Sequence, residues 1–459
     1  MCLLLRDAVL MQRASCYYGG LMDNKSFEKW LEKASVIKGY AHFDERVALK
    51  SIISRISQPS YIERHAFKPF IHYSQIFEKF SKKGRKEKIR ELYYSSHQDR
   101  CIYQYYSHIL DELYIKRVQS DNISDVAIAY RTDLHKNNIH FAKQAFDFIK
   151  SQKQCIIMVG DFTNFFDNLQ HQYLKLQLCN LLGCTTLPND FYKVFRSITK
   201  FSYVNLVDIL TYYKLEDTFA NRRALNSKDI IMPIQELRKH RDLIHTNANA
   251  FGIPQGSAIS AILSNIYMLN FDKSIHEYVA SKNGLYLRYS DDSIFIFPVE
   301  NKTEFLSHYS VVMESIQSVP NLELQKEKTK LYFYSNNSLE NIDTLIGNES
   351  NGKNIIDYLG FSFNGEKISI RDKTIGKFYY RAYHKADTIA KWGGLTPKGN
   401  FVTGENLYNT YTVKGAHKKP GNFLTYVKRS VRCFGDDENV SRILNVHLGK
   451  IKKRKNRRL

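Results

Sequence analysis

The sequence lacks long hydrophobic runs, and it has only 7 Cys, 9 Pro and 2 Trp among its 459 residues. No stretch of about 18 apolar residues is present, so a membrane-spanning helix is not expected. The cysteines show no paired spacing and no accompanying histidines, which argues against a disulfide framework and against structural zinc. The apolar start MCLLLRDAVLM is broken by Arg6 and Asp7 and lacks a small-residue cleavage site, so a signal peptide is not expected. These absences indicate a cytoplasmic protein without a membrane partner.

Acidic residues are scarce relative to basic ones: 46 Asp and Glu stand against 67 Lys and Arg, a formal net charge of +21. Such an excess favours a polyanionic partner, because basic side chains release counterions from a phosphate backbone. From residue 366 onward, 22 basic residues meet 7 acidic ones, so most of the excess belongs to this region. The segment KIKKRKNRRL at 450–459 carries seven basic residues, and we expect it to be disordered until it meets an anion.

Two adjacent acidic residues, Asp291 and Asp292, lie between the strand-like runs of LYLRYSDDSIFIF. Alone, they would be an ordinary solvated turn of a hairpin. A third carboxylate, Asp161, directly follows the buried-looking strand CIIMVG, and antiparallel pairing of these strands would bring it beside Asp291. Three neighbouring carboxylates cannot all stay ionised without cations, and ligation by oxygen alone suits magnesium. Two such ions, about 3.5–4 Å apart, would stabilise the attacking and leaving oxygens of a phosphoryl transfer.

The remaining pattern indicates alternating helices and short strands. Residues 1–60 are expected to be mainly helical, and apolar residues at helical spacing predict further helices in IYQYYSHILDELY, NNIHFAKQAFDFIK and the segment after GIPQG. YLGFSF and KISIR predict a second hairpin around Asn364 and Gly365. Residues 200–250 are polar and irregular, and their function is not indicated.

Five segments in chain order carry a family resemblance: DFTNFFD, GIPQGSAISAILSN, RYSDD, LELQKEKTKLY and YLGF. Together they resemble the successive palm motifs of reverse transcriptases, over about residues 80–380. The most similar group comprises the bacterial enzymes related to group II introns, retrons and antiphage reverse transcriptases. The resemblance implies an α+β right-hand polymerase with fingers, a palm in which an antiparallel sheet packs on helices, and a mainly helical basic thumb. It divides the chain into a helical extension (1–60), fingers (61–150), a palm (151–365, with an insertion at 200–250), and a thumb with a basic tail (366–459).

The resemblance also implies a metal site. Asp161 and Asp291 would hold two Mg²⁺ ions, for which Mn²⁺ could substitute, with Asp292 beside them and the backbone carbonyl of Phe162 as a further ligand. Lys328 would be the general acid for pyrophosphate, although an ordinary surface lysine is the competing interpretation.

Further positions follow from the same motifs. Phe166 would be the steric gate that collides with a ribose 2′-hydroxyl, unless it is a core aromatic residue. Lys88 and Arg90 would grip the triphosphate, unless they belong to a solvated basic face. The segment of Pro254, Gln255 and Gly256 would form the floor under the incoming nucleotide, and YLGF would form the primer grip through Tyr358, Leu359 and Gly360.

The chain departs from the family pattern at a few positions. Gln325 stands where relatives commonly have Asn, and Ser290 replaces the common Ala of the Tyr-x-Asp-Asp motif. Asp161 and Gln255 are 94 residues apart, which suggests that 200–250 is an insertion. No zinc-ligand or nuclease pattern follows the thumb motifs, which argues against an intron maturase and favours a stand-alone defence-associated enzyme.

Three functions stay open at this point. The first is RNA-templated synthesis of cDNA from dNTPs on a dedicated structured noncoding RNA, in antiphage defence. The second is template-independent or protein-primed DNA synthesis of the abortive-infection type, primed from a Tyr or Ser hydroxyl. The third is a non-catalytic RNA-binding scaffold, against which the intact Asp161, Asp291 and Asp292 argue. A homo-oligomer and a companion defence protein are open as further partners.

Overall fold

The computed structural model describes residues 24–81, 84–347, 352–396, 401–416, 421–435 and 438–455. Contacts between these residues divide the chain into two compact units. The first unit contains residues up to Ser124 together with Thr163–Lys273 and Ile316–Glu323, and the second contains Asp125–Phe162, Ser274–Ser315 and the residues from Leu324 onward. Within the described ranges, no helix is long and apolar enough to cross a membrane.

The secondary structure is mixed, with helices and mostly antiparallel strands, as the α+β prediction required. The α-helices of the described residues are α1 (Asn24–Ala34), α2 (Leu49–Ile56), α3 (Pro59–Arg64), α4 (His97–Ser120), α5 (Asn138–Ser151), α6 (Phe165–Asn168), α7 (His171–Leu182), α8 (Asn189–Thr199), α9 (Leu206–Tyr212), α10 (Phe219–Asn226), α11 (Ile234–Lys239), α12 (Ser260–Tyr267), α13 (Leu269–Ser281), α14 (Phe305–Gln317), α15 (Asp372–Trp392), α16 (Gly404–Tyr411), α17 (Val413–Ala416), α18 (Phe423–Phe434) and α19 (Glu438–Lys455). The strands are β1 (Phe70–Ser81), β2 (Gly84–Tyr94), β3 (Gln154–Asp161), β4 (Ser202–Asn205), β5 (His245–Thr246), β6 (Leu285–Tyr289), β7 (Asp292–Pro298), β8 (Lys330–Ser335), β9 (Ser338–Asn341), β10 (Ile356–Tyr358), β11 (Phe361–Phe363) and β12 (Ile368–Ile370).

The second unit is built around a five-stranded sheet with the order β6-β7-β3-β8-β9. β3 pairs antiparallel with β7 on one side and with β8 on the other, so it is a central strand. Its residues from Cys155 to Met158 are all buried, which explains why the sequence is apolar without alternation. Helix α5 packs Phe146 and Ile149 against the sheet and forms one hydrophobic core with it.

A smaller sheet of three strands, β10-β11-β12, belongs to the same unit. The predicted hairpin around Asn364 and Gly365 is confirmed by the antiparallel pairing of β11 with β12. Gly365 has φ +102°, a conformation that favours glycine, and a Cβ there would lie 2.6 Å from the carbonyl oxygen of Asn337. The structure adds β10, which the sequence did not predict as a strand.

The basic C-terminal region is mainly helical and has its own apolar core. In that core Phe378 and Ala382 of α15 pack with Leu407, Leu424 and other buried residues, including Ile451 of α19. The prediction of a disordered segment at 450–459 is therefore wrong for 450–455, which continue helix α19, whereas 456–459 lie outside the described residues. The physical reason is Ile451, which is fully buried and gives the basic segment an apolar anchor.

The first unit contains a four-stranded sheet with the order β2-β1-β4-β5. Its long β1–β2 hairpin carries Lys88 and Arg90 on strand β2. The region 200–250, predicted to be irregular, contributes short helices whose buried residues, such as Ile209 and Leu237, pack with Phe43 and Ile71. The helical prediction for 1–60 agrees with α1, α2 and α3, and its part at 1–23 lies outside the described residues. The boundaries between fingers, palm and thumb stay predictions.

Candidate active site

Two of the three candidate carboxylates occupy directly paired positions of the five-stranded sheet. Asp161 is the last residue of β3, Asp292 is the first of β7, and the two are partners in the antiparallel register. Asp291 lies in the turn before β7, where its carbonyl oxygen accepts a hydrogen bond from the amide of Phe162 at 2.9 Å. The strands therefore pair as predicted, but the register sets Asp161 opposite Asp292 rather than Asp291.

The carboxylates are electrostatically unfavourable to one another. Burial raises the pKa of Asp292 to about 7, and the charges of Asp291 and Asp161 add to this rise. The pKa of Asp291 is also raised, mainly by burial and further by Asp161, although hydrogen bonds from its own backbone and from Ser290 act in the opposite direction. Such mutual repulsion is relieved by a cation, so the site favours positive charge.

Lys328 supplies one such charge. Its Nζ lies 2.7 Å from Oδ1 of Asp161, and its side chain is 40% exposed. The backbone around it is tied to β3, because the amide of Gln325 donates to the carbonyl of Asp161 at 2.8 Å and the amide of Lys328 donates to the carbonyl of Gln325 at 2.9 Å. Lys328 is thus an ion-pair partner of Asp161 with a partly exposed side chain, so both the general-acid role and an ordinary surface lysine stay open.

The turn between β6 and β7 depends on Ser290, which the sequence marked only as a departure from the family motif, and on Arg288 and Tyr130, which it did not mark. Ser290 is buried and has φ +61°, a left-handed backbone. Arg288, which is fully buried, donates from Nη1 to the carbonyl of Ser290 at 3.1 Å. The hydroxyls of Tyr130 and Ser290 are 3.1 Å apart. In the sequence, the feature that could have indicated this arrangement of the turn was Arg288, a charged residue within an otherwise apolar strand.

The proposed primer-grip residues form a tight turn between β10 and β11. Leu359 and Gly360 both have positive φ, +47° and +92°, and they connect the paired residues Tyr358 and Phe361. The side-chain amide of Asn138 donates to the carbonyl of Leu359 at 2.9 Å. Burial, with Asp292 and Tyr289 as further causes, raises the pKa of the Tyr358 hydroxyl well above its ordinary value. Tyr358 is therefore near enough to Asp292 for a charge on that carboxylate to disfavour ionisation of its hydroxyl.

The carboxylates of this site have the donor chemistry that suits a metal ion, but their side chains are not arranged around one. Carboxylate oxygens are the ligands that hard divalent cations prefer. Among the residues that the structure describes, however, no group of three or more acidic, histidine or cysteine side chains is arranged to hold a metal ion. The carboxylate of Asp161 is instead engaged by Lys328.

Phe166 and its neighbour Phe165 belong to α6 in the first unit. Phe165 is buried and packs as a core residue, whereas Phe166 is only half-buried. Their ring centroids are 5.6 Å apart in an edge-to-face arrangement. The carbonyl of Phe166 accepts a hydrogen bond from the amide of Ile253 at 3.0 Å, so the loop before Gln255 is held against this helix.

The loop of Gln255 and Gly256 is pinned to strand β2. The amide of Tyr93 donates to the carbonyl of Gln255 at 2.9 Å. Gly256 has φ +109°, and a Cβ there would lie 2.8 Å from the carbonyl oxygen of Tyr93, so only glycine fits without a shift.

Lys88 and Arg90 lie on the same strand, and their side chains share one face of it because they are two residues apart. Arg90 is exposed and places its guanidinium over the ring of Phe77, 5.4 Å from the centroid. Lys88 is half-buried and lies opposite Phe77 in the β1–β2 register. Both the triphosphate role and the solvated basic face stay open for this pair.

A comparison with protein families shows a match over residues 80–363 to the model described as reverse transcriptase (RNA-dependent DNA polymerase). The match covers more than half of the chain and includes all the candidate site residues. No curated protein is significantly similar in sequence.

Among solved structures, the chain is similar to telomerases. An apo telomerase from Candida tropicalis, truncated from its C-terminal domain, matches with 14% identity and a TM-score of 0.40, over 66% of this chain and 55% of that one. A telomerase from Candida albicans in complex with a fragment of telomeric RNA matches with 12% identity and a TM-score of 0.39, over 93% of this chain and 72% of that one. This chain thus spans about half the length of the first of them, and the family assignment depends on the sequence match alone.

Proposed function

The chain belongs to the reverse transcriptase family and is an RNA-directed DNA polymerase, and we propose that it copies a dedicated, structured noncoding RNA by two-metal nucleotidyl transfer in antiphage defence. The observation that carries the catalytic part is the pairing of Asp161 with Asp292 across two strands, with Asp291 in the adjoining turn. A mutually repelling set of carboxylates at the ends of two central strands is costly without a cation to bind.

In this proposal, Asp161, Asp291 and the backbone carbonyl of Phe162 hold two Mg²⁺ ions, with Asp292 beside them and Mn²⁺ as a substitute. When bound, such ions stabilise the attacking and leaving oxygens of the transfer. The raised pKa of Asp291 and of Asp292 supports a cation at this position, since neutralising their repulsion would favour the ionised carboxylates.

Lys328 is proposed to donate a proton to the departing pyrophosphate. In the structure its ammonium is paired with Asp161, at 2.7 Å. A pair with a half-exposed side chain contributes little to stability, so exchange of Asp161 for a phosphate oxygen would cost little. The same residue would then neutralise Asp161 before substrate binds and the leaving group afterwards.

The remaining roles are proposed from the family motifs. Lys88 and Arg90 would bind the triphosphate, and Phe166 would exclude ribonucleotides. Gln255 and Gly256 would lie under the nucleotide, where the bond from Tyr93 supports them. The turn of Tyr358, Leu359 and Gly360 would hold the primer end. The buried side chain of Tyr358 anchors this turn in the core.

A structured RNA suits the charge of the C-terminal region, because phosphate contacts give affinity without sequence readout. Unpaired bases would then stack on exposed aromatic rings such as Tyr380, which is 57% exposed. The defence role and a cytoplasmic location are proposed from the similarity of the motifs to those of stand-alone defence-associated enzymes. Protein-primed synthesis is the alternative, and it predicts DNA covalently attached to the protein.

The decisive experiment is to purify the chain, sequence the nucleic acid that copurifies, and repeat the sequencing after addition of dNTPs. One abundant RNA, and cDNA complementary to it that appears only with dNTPs, is the expected result. Random cellular RNA with no complementary DNA would contradict the proposed template. Product that stays attached to the protein after protease-free denaturation would instead favour protein priming.

Neutralising the exposed lysines of α19 is expected to weaken RNA binding in a salt-dependent manner. The double variant Lys452→Gln/Lys453→Gln should reduce the slope of log affinity against log salt by about 1–2. Each phosphate contact that is lost means that roughly one counterion fewer is released when the RNA binds. Filter binding from low to high salt measures the slope.

The matched control is Lys25→Gln/Lys29→Gln, which removes the same charge from exposed positions of α1. The control should keep the slope of the wild type, and a wild-type slope for the α19 variant as well would show that Lys452 and Lys453 make no phosphate contacts. Deleting 450–459 is a poorer test, because it removes the fully buried Ile451 and with it part of a core.

A further inference from the structure

Two residues with left-handed backbone meet at the turn that carries Asp291. Tyr130 has φ +63° and Ser290 has φ +61°, and their hydroxyl oxygens are 3.1 Å apart. For non-glycine residues, and above all for bulky ones, this conformation is uncommon and persists where neighbouring contacts hold it. Neither residue belongs to the carboxylate set, so their strain needs its own explanation.

The segment before Tyr130 is attached to strand β6. The amide of Arg288 donates to the carbonyl of Val126 at 2.8 Å, and the amide of Ile128 donates to the carbonyl of Arg288 at 2.9 Å. These bonds form a parallel bridge centred on Ala127 and Arg288. They extend the edge of the sheet and carry Tyr130 to the end of β6, where the turn begins.

The next residue adds a local ion pair within this segment. Arg131 is buried and makes a bidentate pair with Asp133, at 2.8 and 2.6 Å. Tyr130 is 49% exposed, but its backbone is held by these contacts. Its hydroxyl is therefore kept within hydrogen-bonding distance of Ser290.

Ser290 directly precedes Asp291 and is held at two of its atoms. Its carbonyl accepts a hydrogen bond from the guanidinium of Arg288 at 3.1 Å, and its hydroxyl oxygen lies 3.1 Å from that of Tyr130, where either hydroxyl can be the donor. Arg288 and Tyr130 together therefore fix the residue that leads into the carboxylate.

We propose that Tyr130 is a positioning residue, which holds the turn that carries Asp291 in place for metal binding through its hydrogen bond with the Ser290 hydroxyl. The inference rests on the proposed function, since it concerns the same carboxylate. It also explains the serine at 290, where alanine is common in the family motif, because only a hydroxyl can form a hydrogen bond with Tyr130.

The test compares Tyr130→Phe, Ser290→Ala and the double variant in steady-state extension of a primed RNA template. Each single variant is expected to lower kcat by about three- to tenfold, the effect of one hydrogen bond, with KM for dNTP unchanged. The double variant should fall no further, because the two hydroxyls act as one unit. Wild-type kcat in Tyr130→Phe, or losses that multiply in the double variant, would overturn the inference.

Mn²⁺ binding, followed by electron paramagnetic resonance without nucleotide or template, gives a readout independent of turnover. Weaker Mn²⁺ affinity of Tyr130→Phe is expected, and an affinity equal to that of the wild type would overturn the inference. The control is Tyr212→Phe, which removes another partly exposed hydroxyl with a hydrogen bond, to Glu236 at 3.0 Å. An inactive wild-type protein would refute the proposed function, whereas an unchanged Tyr130→Phe beside an active wild type refutes only this inference.

Discussion

Replacement of Asp161 by asparagine is expected to lower kcat for DNA synthesis by at least about a thousandfold, because two-metal stabilisation is worth several kcal/mol and each 1.36 kcal/mol is tenfold in rate. The folded protein should be no less stable than the wild type. The variant removes one charge from a cluster in which burial and mutual repulsion already raise the pKa of Asp292 to about 7. Primer extension in Mg²⁺ and thermal unfolding measure the two effects.

Asp147→Asn is the matched control, since Asp147 on α5 also has a lysine partner, Lys143 at 2.7 Å, but lies at an exposed position. It should extend primers at the wild-type rate. Near wild-type extension by the double variant Asp291→Ala/Asp292→Ala would refute a catalytic carboxylate site and would leave the RNA-binding scaffold as the better interpretation.

Replacement of Phe166 by alanine is expected to admit ribonucleotides. A ring that discriminates by collision with the 2′-hydroxyl imposes a penalty of the size seen for overpacking, about 1–3 kcal/mol, so the ratio of kcat/KM for dNTP to that for NTP should fall roughly 10- to 100-fold. Activity on dNTPs should change less, since the variant removes a clash rather than a contact. Single-nucleotide incorporation with each substrate gives the ratio.

Phe165 provides the control at the adjacent position of α6. It is buried, so Phe165→Ala should destabilise the protein by about 3–5 kcal/mol while leaving the ratio unchanged. If Phe166→Ala instead behaves like Phe165→Ala, with lower stability and unchanged selectivity, then Phe166 is a packing residue.

Local patterns were sufficient to predict several elements around the candidate site. The apolar run CIIMVG indicated a buried strand ending at Asp161, and the strand-like runs on either side of Asp291 and Asp292 indicated a hairpin with acidic residues at its turn. Both are confirmed as strand β3 and the β6–β7 hairpin. These predictions succeeded because burial of a central strand and the chemistry of a tight turn depend on neighbouring residues in the chain.

The long-range contacts could not be predicted in this way. The register that sets Asp161 opposite Asp292 depends on the whole β3–β7 pairing, and a shift by one residue would turn every side chain to the other face. The contact between Tyr130 and Ser290 joins positions 160 residues apart, and no local sequence pattern at either residue predicts it.

The basic C-terminal segment shows the same division. By composition 450–459 is a charged tail, and charge patterning alone predicts disorder. The tertiary structure makes 450–455 helical, because Ile451 is buried against the core of α15, α16 and α18 and Arg454 pairs with Asp387 at 2.7 Å. The sequence by itself therefore determined the carboxylates, the strands that carry them and the basic charge. Register, hydroxyl contacts and the order of the basic segment were decided by packing between residues distant in the chain, which exists only once the chain has folded.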